Sequence, residues 1–200
     1  KLQMDALQQT YAAEWLRAEF AKPASLTYPR VTALGLPIEQ VSYSAVRAQY
    51  WDHILTSDDQ LRQRMAYALS QILVYSGESN ITVPERLAHY QDVLINSSFT
   101  NYRNVLEEVT YTPAMAQWLT YMRNRKGDPA TGRMPDENYA REIMQLFTIG
   151  LVELNMDGTV KTDGNGNPIE TYNNSDIIGL ARIFTGLGYE GPDFNGGARD

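Results

Sequence analysis

Apolar residues recur every three or four positions along most of this chain, the spacing of one buried helical stripe, and turn-forming residues interrupt them at intervals. Leu7, Tyr11, Trp15 and Leu16 predict an apolar stripe on a first helix over 5–20, which Pro23 stops. Residues 21–43 lose the pattern and carry Pro23, Pro29 and Pro37, so they read as a Pro-rich connector. A short helix over 44–55 follows, with Val46, Tyr50, Trp51 and Ile54 inward. The helix over 57–75 is better marked, since Ser57 can cap free backbone N–H groups and Asp58 and Asp59 complement the positive end of the dipole. Leu61, Met65, Ala68, Leu69, Ile72 and Leu73 give it the broad apolar face of a central helix.

Thr82, Val83 and Pro84 open another helix, running to about Ser98 through Leu87, Tyr90, Leu94 and Ile95. A helix over 100–110 comes next, and Thr112 with Pro113 repeats the cap-plus-proline device ahead of Met115, Trp118, Leu119 and Met122. The run 124–150, NRKGDPATGRMPDENYAREIMQLFTIG, is densely charged and then apolar. Asp136 is placed to cap its helix, Glu137 to sit in the first turn, and Gly150 to take positive φ after the last one. Tyr139, Ile143, Leu146 and Phe147 form the inward face; Glu137 and Arg141, four apart, pair on the outside beside a polar stripe of Asn138, Glu142 and Gln145. Over 151–172 the pattern changes to turn and β-branched residues, with DGNGNP predicting the tip of a small β-hairpin. Asn173 or Asn174 then caps a last helix, Ser175 to Phe184, ending at Gly186. The whole reads as an all-α fold, a single domain over 1–200 with seven or eight helices and one hairpin insertion.

Composition narrows the function classes. A chain of 200 residues buries about 70% of the surface its unfolded form exposes, enough for a substantial core. Its net charge of -7 argues against a nucleic-acid partner, which is held by Lys and Arg neutralising phosphates. No apolar run is long enough for a membrane span. Cysteine is absent, which removes disulfides, thiol nucleophiles and thiolate metal sites. The chain starts at Lys1 without an initiator Met and stops in the Gly-rich run PDFNGGARD, so it reads as a piece of a longer polypeptide.

Candidate chemistry concentrates in Asn124, Arg125, Lys126, Asp128, Arg133, Asp136, Glu137, Asn138, Arg141 and Glu142. One reading is structural, with Arg125 and Arg133 holding the loop, Asp136 capping, and Arg141 or Glu142 fixing chain crossings. The other is a polar pocket that clamps a sulfate, phosphate or carboxylate near the helix start. Glycoside hydrolysis by Glu137 and Glu142 is disfavoured, because residues five apart on a helix do not flank one bond. Asp163, Asn165 and Asn167 alternate like calcium ligands, but Pro168 stands where an EF-hand loop needs glycine, so they read as a turn. His53 and His89 lack a co-ligand at metal spacing and read as helix-surface residues. No Ser-His-Asp set, Walker loop or dinucleotide fingerprint is present, and no cofactor is implied.

The runs LRQRMAYALSQILVYS, YTPAMAQWL, NRKGDPATGRMPDENYAREIMQLFTIGL and DIIGLARIFTGLGY, in this order, resemble the bacterial family catalogued as domain of unknown function 1800. The resemblance spans about Tyr50 to Tyr189 and is less distinct over 1–49. It implies an extracytoplasmic protein, of which this chain is the N-terminal half or so, with a sulfatase-like companion, and it brings no established activity. Many members carry a pair of histidines on the central helix and one on the signature helix; here those positions are Ser70, Ile72 and Phe147. A metal or proton-transfer site built on them does not carry over. The resulting expectation is an exported, non-catalytic scaffold or binding protein that packs against the remainder of its own chain or another protein. The alternative is an extracytoplasmic enzyme, hydrolase-like or processing anionic esters, with its site at 124–142.

Overall fold

The computed structural model describes residues 2–37, 40–76 and 83–189. It is mostly helical, with nine α-helices among the described residues, very little strand and no sheet. The chain divides into two compact units, Lys1–Met115 and Ala116–Asp200.

The first unit holds α1 (Leu2–Ala21), α2 (Thr27–Thr32), α3 (Tyr43–Thr56), α4 (Gln60–Ile72), α5 (Pro84–Ser97) and α6 (Tyr102–Thr110). Its hub is α5, which packs against α2, α3, α4 and α6. The predicted central helix, α4, buries Gln63 and Ala66 and leaves Met65 and Ile72 exposed. Apolar periodicity marks a helix but does not say which of two stripes meets the neighbours. On α5 the pattern is obeyed, with Tyr90, Leu94 and Ile95 all buried. In α1 the predicted inward residues Tyr11, Trp15 and Leu16 are exposed; of the side chains from Tyr11 onward only Glu19, in the last turn, is fully buried. The side chain of Leu7 and the Thr82 cap lie outside the described residues.

The connector contains a helix that its prolines conceal. Leu26, at the N-terminus of α2, offers no side-chain cap. Asp92 of α5 serves instead, its carboxylate accepting the Thr27 N–H at 2.6 Å and the Tyr28 N–H at 3.0 Å. Burial pushes the Asp92 carboxyl above the ordinary aspartate value, against the downward pull of these two bonds. Val31 of α2 then joins Val46 and Ala88 in an apolar cluster with Tyr28, Val41 and Leu87 around it.

Asp59 behaves similarly at the start of α4. Its side chain does not cap its own helix; it accepts the Ser25 N–H at 3.0 Å and the Gln63 amide at 3.1 Å. Arg62 lies 4.5 Å over the Phe99 ring and donates to the carbonyls of Lys22 and Ile95, tying the end of α1 to the end of α5.

His53 is a correction to the surface reading. It is fully buried on α3, seven residues beyond the buried Val46 and therefore on the same stripe, while Trp51 faces solvent. His89 is exposed and stacks on Tyr28 with ring centres 3.9 Å apart.

The second unit has an aromatic core. Tyr121 and Tyr139, both 1% exposed, stack at 4.1 Å, and Phe184 and Phe147 meet the Tyr139 ring at 4.8 and 6.5 Å. The helix α7 (Pro113–Trp118) leads into this unit from the first, with Thr112 Oγ1 accepting the Met115 N–H at 3.2 Å as the cap-plus-proline pattern predicts. The signature helix is shorter than predicted: α8 (Asn138–Glu142) passes directly into a π-helical turn, Ile143–Phe147. Its i→i+5 bonding shifts the phase of the side chains. Phe147 stays buried, Leu146 turns out to solvent, and Met144 packs inward with Ala140, Ile177 and Ala181. Gly150 closes the segment at φ +74. The last helix, α9 (Asn174–Ile183), carries the predicted Asn173 cap, completed into a capping box by Asp176.

No hairpin forms over 151–172. Isolated antiparallel bridges pair Val152 with Glu170, Leu154 with Val160, and Thr162 with Pro168. Two tight turns, at Asp157-Gly158 and at 163–167, cut the backbone into pieces too short for a ladder, and Pro168 has no N–H to extend one.

Two outcomes follow for the first unit. Replacing Asp92 with Ala strands the buried N–H of Thr27 and should cost about 1–3 kcal/mol in chemical denaturation; an unchanged midpoint would remove Asp92 from the account of α2. His53 is held below its ordinary 6.5, mainly by burial; Asp59 pulls the other way and Arg30 adds to burial. The fold thus favours neutral imidazole, so stability is full above pH ~6.5 and declines as pH falls below it. Asp59, whose bonds to Ser25 and Gln63 outweigh burial and hold it below 3.8, contributes to acid loss only at lower pH. Melting curves between pH 7 and 5 should slope in the wild type and flatten in His53→Gln.

Candidate functional site

The loop from Asn124 to Glu137 is built from its ends. After α7 the chain reverses through Thr120 and Arg123, both in the left-handed region at φ +62 and +60, a conformation that side chains with a Cβ hold only under constraint. The constraint is visible. Arg123 N–H donates to the Leu187 carbonyl at 2.8 Å and Gly186 N–H to the Asn124 carbonyl at 2.9 Å, stitching the loop's start to the chain beyond α9. The Asn124 side chain, buried, accepts the Asp136 N–H at 2.9 Å and donates to the Asp136 carbonyl at 3.2 Å, so one amide closes the loop.

Inside that ring the residues form a tight turn. Asp128 and Arg133 bridge through their backbones, and Gly132 supplies positive φ at +73. The Asp128 carboxylate accepts the Ala130 N–H and the Thr131 hydroxyl, each at 3.0 Å, with Arg133 at 3.9 Å. The hydrogen bonds from Thr131 and Ala130, more than Arg133, hold this carboxyl below the ordinary aspartate value. Arg133 Nε donates to the Lys126 carbonyl at 3.3 Å.

The charged cluster of the sequence separates into two sets. Asn124, Asp136, Glu137, Asn138 and Arg141 are engaged with the fold itself. Asp136 Oδ1 accepts the Asn138 N–H at 2.9 Å, and Asn138 Nδ2 donates to Thr120 Oγ1 at 2.8 Å. Arg141 pairs with Glu137 at 2.6 Å and reaches Asn174 Oδ1 at 3.1 Å, joining α8 to the start of α9. Arg125 is exposed and Glu142 half-buried.

Lys126 and Arg133 belong to the second set, which lines a solvent-open pocket of about 490 Å³. Its walls are Gly127, Pro129, Met134 and Pro135 from the loop, with Arg182 and Thr185 from the end of α9. Among the described residues no hydrogen bond or ion pair engages the Lys126 ammonium or the Arg182 guanidinium. Three cations therefore face one carboxylate, and that carboxylate is spent on its own turn. Such a pocket suits an anion. Arg182 and Thr185 were not legible as site residues, because a basic residue in a last helical turn already has an explanation in the helix dipole.

The other candidates lie elsewhere. Asp163 Oδ1 accepts the N–H groups of Asn165 and Asn167, each at 2.9 Å, and its carboxyl is lowered by those bonds, Asn167 first. It organises a turn. Among the described residues no group of three or more His, Asp or Glu could hold a metal. Ser70 donates to the Tyr67 carbonyl at 2.7 Å, Ile72 is exposed, and Phe147 fills the aromatic core.

A mostly helical protein with one polar loop clasped against its last helix is the class these features define. The chain belongs to the family described as Protein of unknown function (DUF1800), which it matches over residues 1–199, including the first 49 where the motifs are less distinct. No curated protein and no solved structure matches it. No described helix is long and apolar enough to cross a membrane.

The division of the cluster predicts unequal mutational effects. Asn124→Ala, which unpairs two backbone groups at once, should lower stability by about 1–3 kcal/mol. Arg141→Ala, at an exposed pair, should cost less than about 1 kcal/mol, and Lys126→Ala and Arg182→Ala should stay within about 0.5 kcal/mol. A large loss from Lys126 or Arg182 would return the pocket cations to the structural network.

Proposed function

We propose that this protein is a non-catalytic, extracytoplasmic binding protein whose pocket at 126–135 receives the anionic group of a ligand or partner. The observation that carries the reading is the pair of uncompensated cations, Lys126 and Arg182, beside Arg133 in one pocket of a chain whose net charge is -7. A chain that is acidic overall gains nothing for solubility by gathering positive charge in a concavity, whereas anion capture needs it there. Binding is favoured over catalysis because the one carboxylate lining the pocket, Asp128, is bonded to Ala130 and Thr131 and not placed as a free acid or base. The enzyme alternative requires an acid–base pair that the described lining does not supply.

A protein partner remains part of this reading. Large apolar side chains stand in solvent in both units, among them Trp15, Trp51 and Leu55 in the first and Leu146, Ile149 and Ile183 in the second. Where such side chains lie together in one patch, they are the kind of surface that another chain, or a further part of the same chain, would cover.

Titration of the native protein with sulfate, phosphate and acetate, followed by amide NMR, should move resonances of 126–135 and 182–185 in a saturable way. Arg182→Ala and Lys126→Ala should each weaken that binding about tenfold, or about 1.4 kcal/mol, with melting unchanged. No saturable shift at these residues would remove the proposed function.

A further inference from the structure

We infer that the ligand of this pocket is an organic oxyanion, a single charged head joined to an apolar body, and neither an inorganic ion nor a charged sugar. The inference rests on the anion-binding reading above and specifies what that anion is attached to. Size excludes a bare ion as the natural occupant. A tetrahedral oxyanion occupies roughly 60 Å³, taken as two waters of about 30 Å³ each. It would fill roughly an eighth of the pocket's 490 Å³, a volume in the range of small-molecule sites.

The rest of the lining decides the chemistry of the body. Pro129, Met134 and Pro135 present carbon, and Gly127 and Gly132 present bare backbone. Apart from the three cations, the polar side chains of the lining are Asp128 and Thr185. Both are committed to their own chain, Asp128 to Ala130 and Thr131, and the Thr185 hydroxyl to the Arg182 carbonyl at 3.0 Å. A polyhydroxylated body would thus surrender its water for few side-chain partners, the leftover lone pairs of Asp128 and Thr185 and the cation N–H groups its charged head does not use, while an aryl or alkyl body loses nothing and covers apolar wall. Met134, 56% exposed and flexible, is the natural cover for such a body.

The test compares three monoanions that each present a tetrahedral SO3− group, the sulfonates methanesulfonate and naphthalene-2-sulfonate and the sulfate ester glucose 6-sulfate, titrated into the native protein and read by NMR at 126–135 and 182–185. Naphthalene-2-sulfonate should bind at least tenfold more tightly than methanesulfonate, and glucose 6-sulfate no more tightly. Met134→Gln, at an exposed wall position, should erase most of the preference by lowering naphthalene-2-sulfonate affinity toward that of methanesulfonate. Equal affinities for all three, a preference for the sugar, or a preference that survives Met134→Gln would overturn the inference while leaving anion binding intact. Failure of all three to bind would overturn both.

Discussion

The candidate site depends on one buried amide. Asn124 offers an acceptor and a donor on the same planar group, and both are spent on the backbone of Asp136 twelve positions on, while its own carbonyl accepts from Gly186. Those three bonds fix the two ends of the loop to each other and to the chain after α9. The loop-closure entropy is therefore met by hydrogen bonds at its base, and the tip needs no core of its own. The strained backbone at Thr120 and Arg123 fits this scheme, since left-handed residues with side chains persist where their surroundings over-determine them. Lys126 and Arg182 are left with a position and no structural duty that occupies their charge, while Arg133 keeps a long contact with Asp128 and one bond from Nε to the Lys126 carbonyl.

Both units use the same device, in which a side chain from a distant element satisfies the backbone of a short one. Asp92 holds the first N–H groups of α2, Asp59 holds Ser25, and Asn124 holds Asp136. Short elements seldom stand alone, because a few turns bury too little to offset the entropy of ordering them. Anchoring them by buried polar groups fixes their geometry and makes the fold sensitive to the state of those groups. His53, buried in its neutral form on α3, is one place where that sensitivity is read as pH.

Much of this fold was legible because its signals are local. The Thr112 cap with Pro113, the Asn173 cap and positive φ at Gly150 depend on residues adjacent in sequence, and all are present. The errors share a cause, which is that the deciding partner is remote. Helix α2 was concealed because its cap comes from Asp92. The stripe of α1, and that of α4 at Met65, Ala68 and Ile72, were misassigned because periodicity does not name the neighbour, whereas Leu73 is buried as expected. Leu146 was placed inward because nothing in QLF announces a π-turn, and 151–172 was read as a hairpin because turn residues do not reveal how little strand lies between them. At the site, the charged run was conspicuous, yet the separation of Lys126 and Arg133 from Asn124 and Arg141 appeared only with the bonds, and Arg182 only with the clasp that brings α9 to the loop.

The central claim is that the Asn124 clamp makes the pocket, and that the cations alone do not. The most direct measurement is the affinity of methanesulfonate for Asn124→Ala at a temperature where near-UV circular dichroism shows the variant folded. Lys126, Arg133 and Arg182 are all retained, so the account predicts that binding is lost together with amide-exchange protection across 126–135. Affinity equal to that of the parent protein would contradict it, and would show that the positive charge binds anions without the geometry that Asn124 imposes.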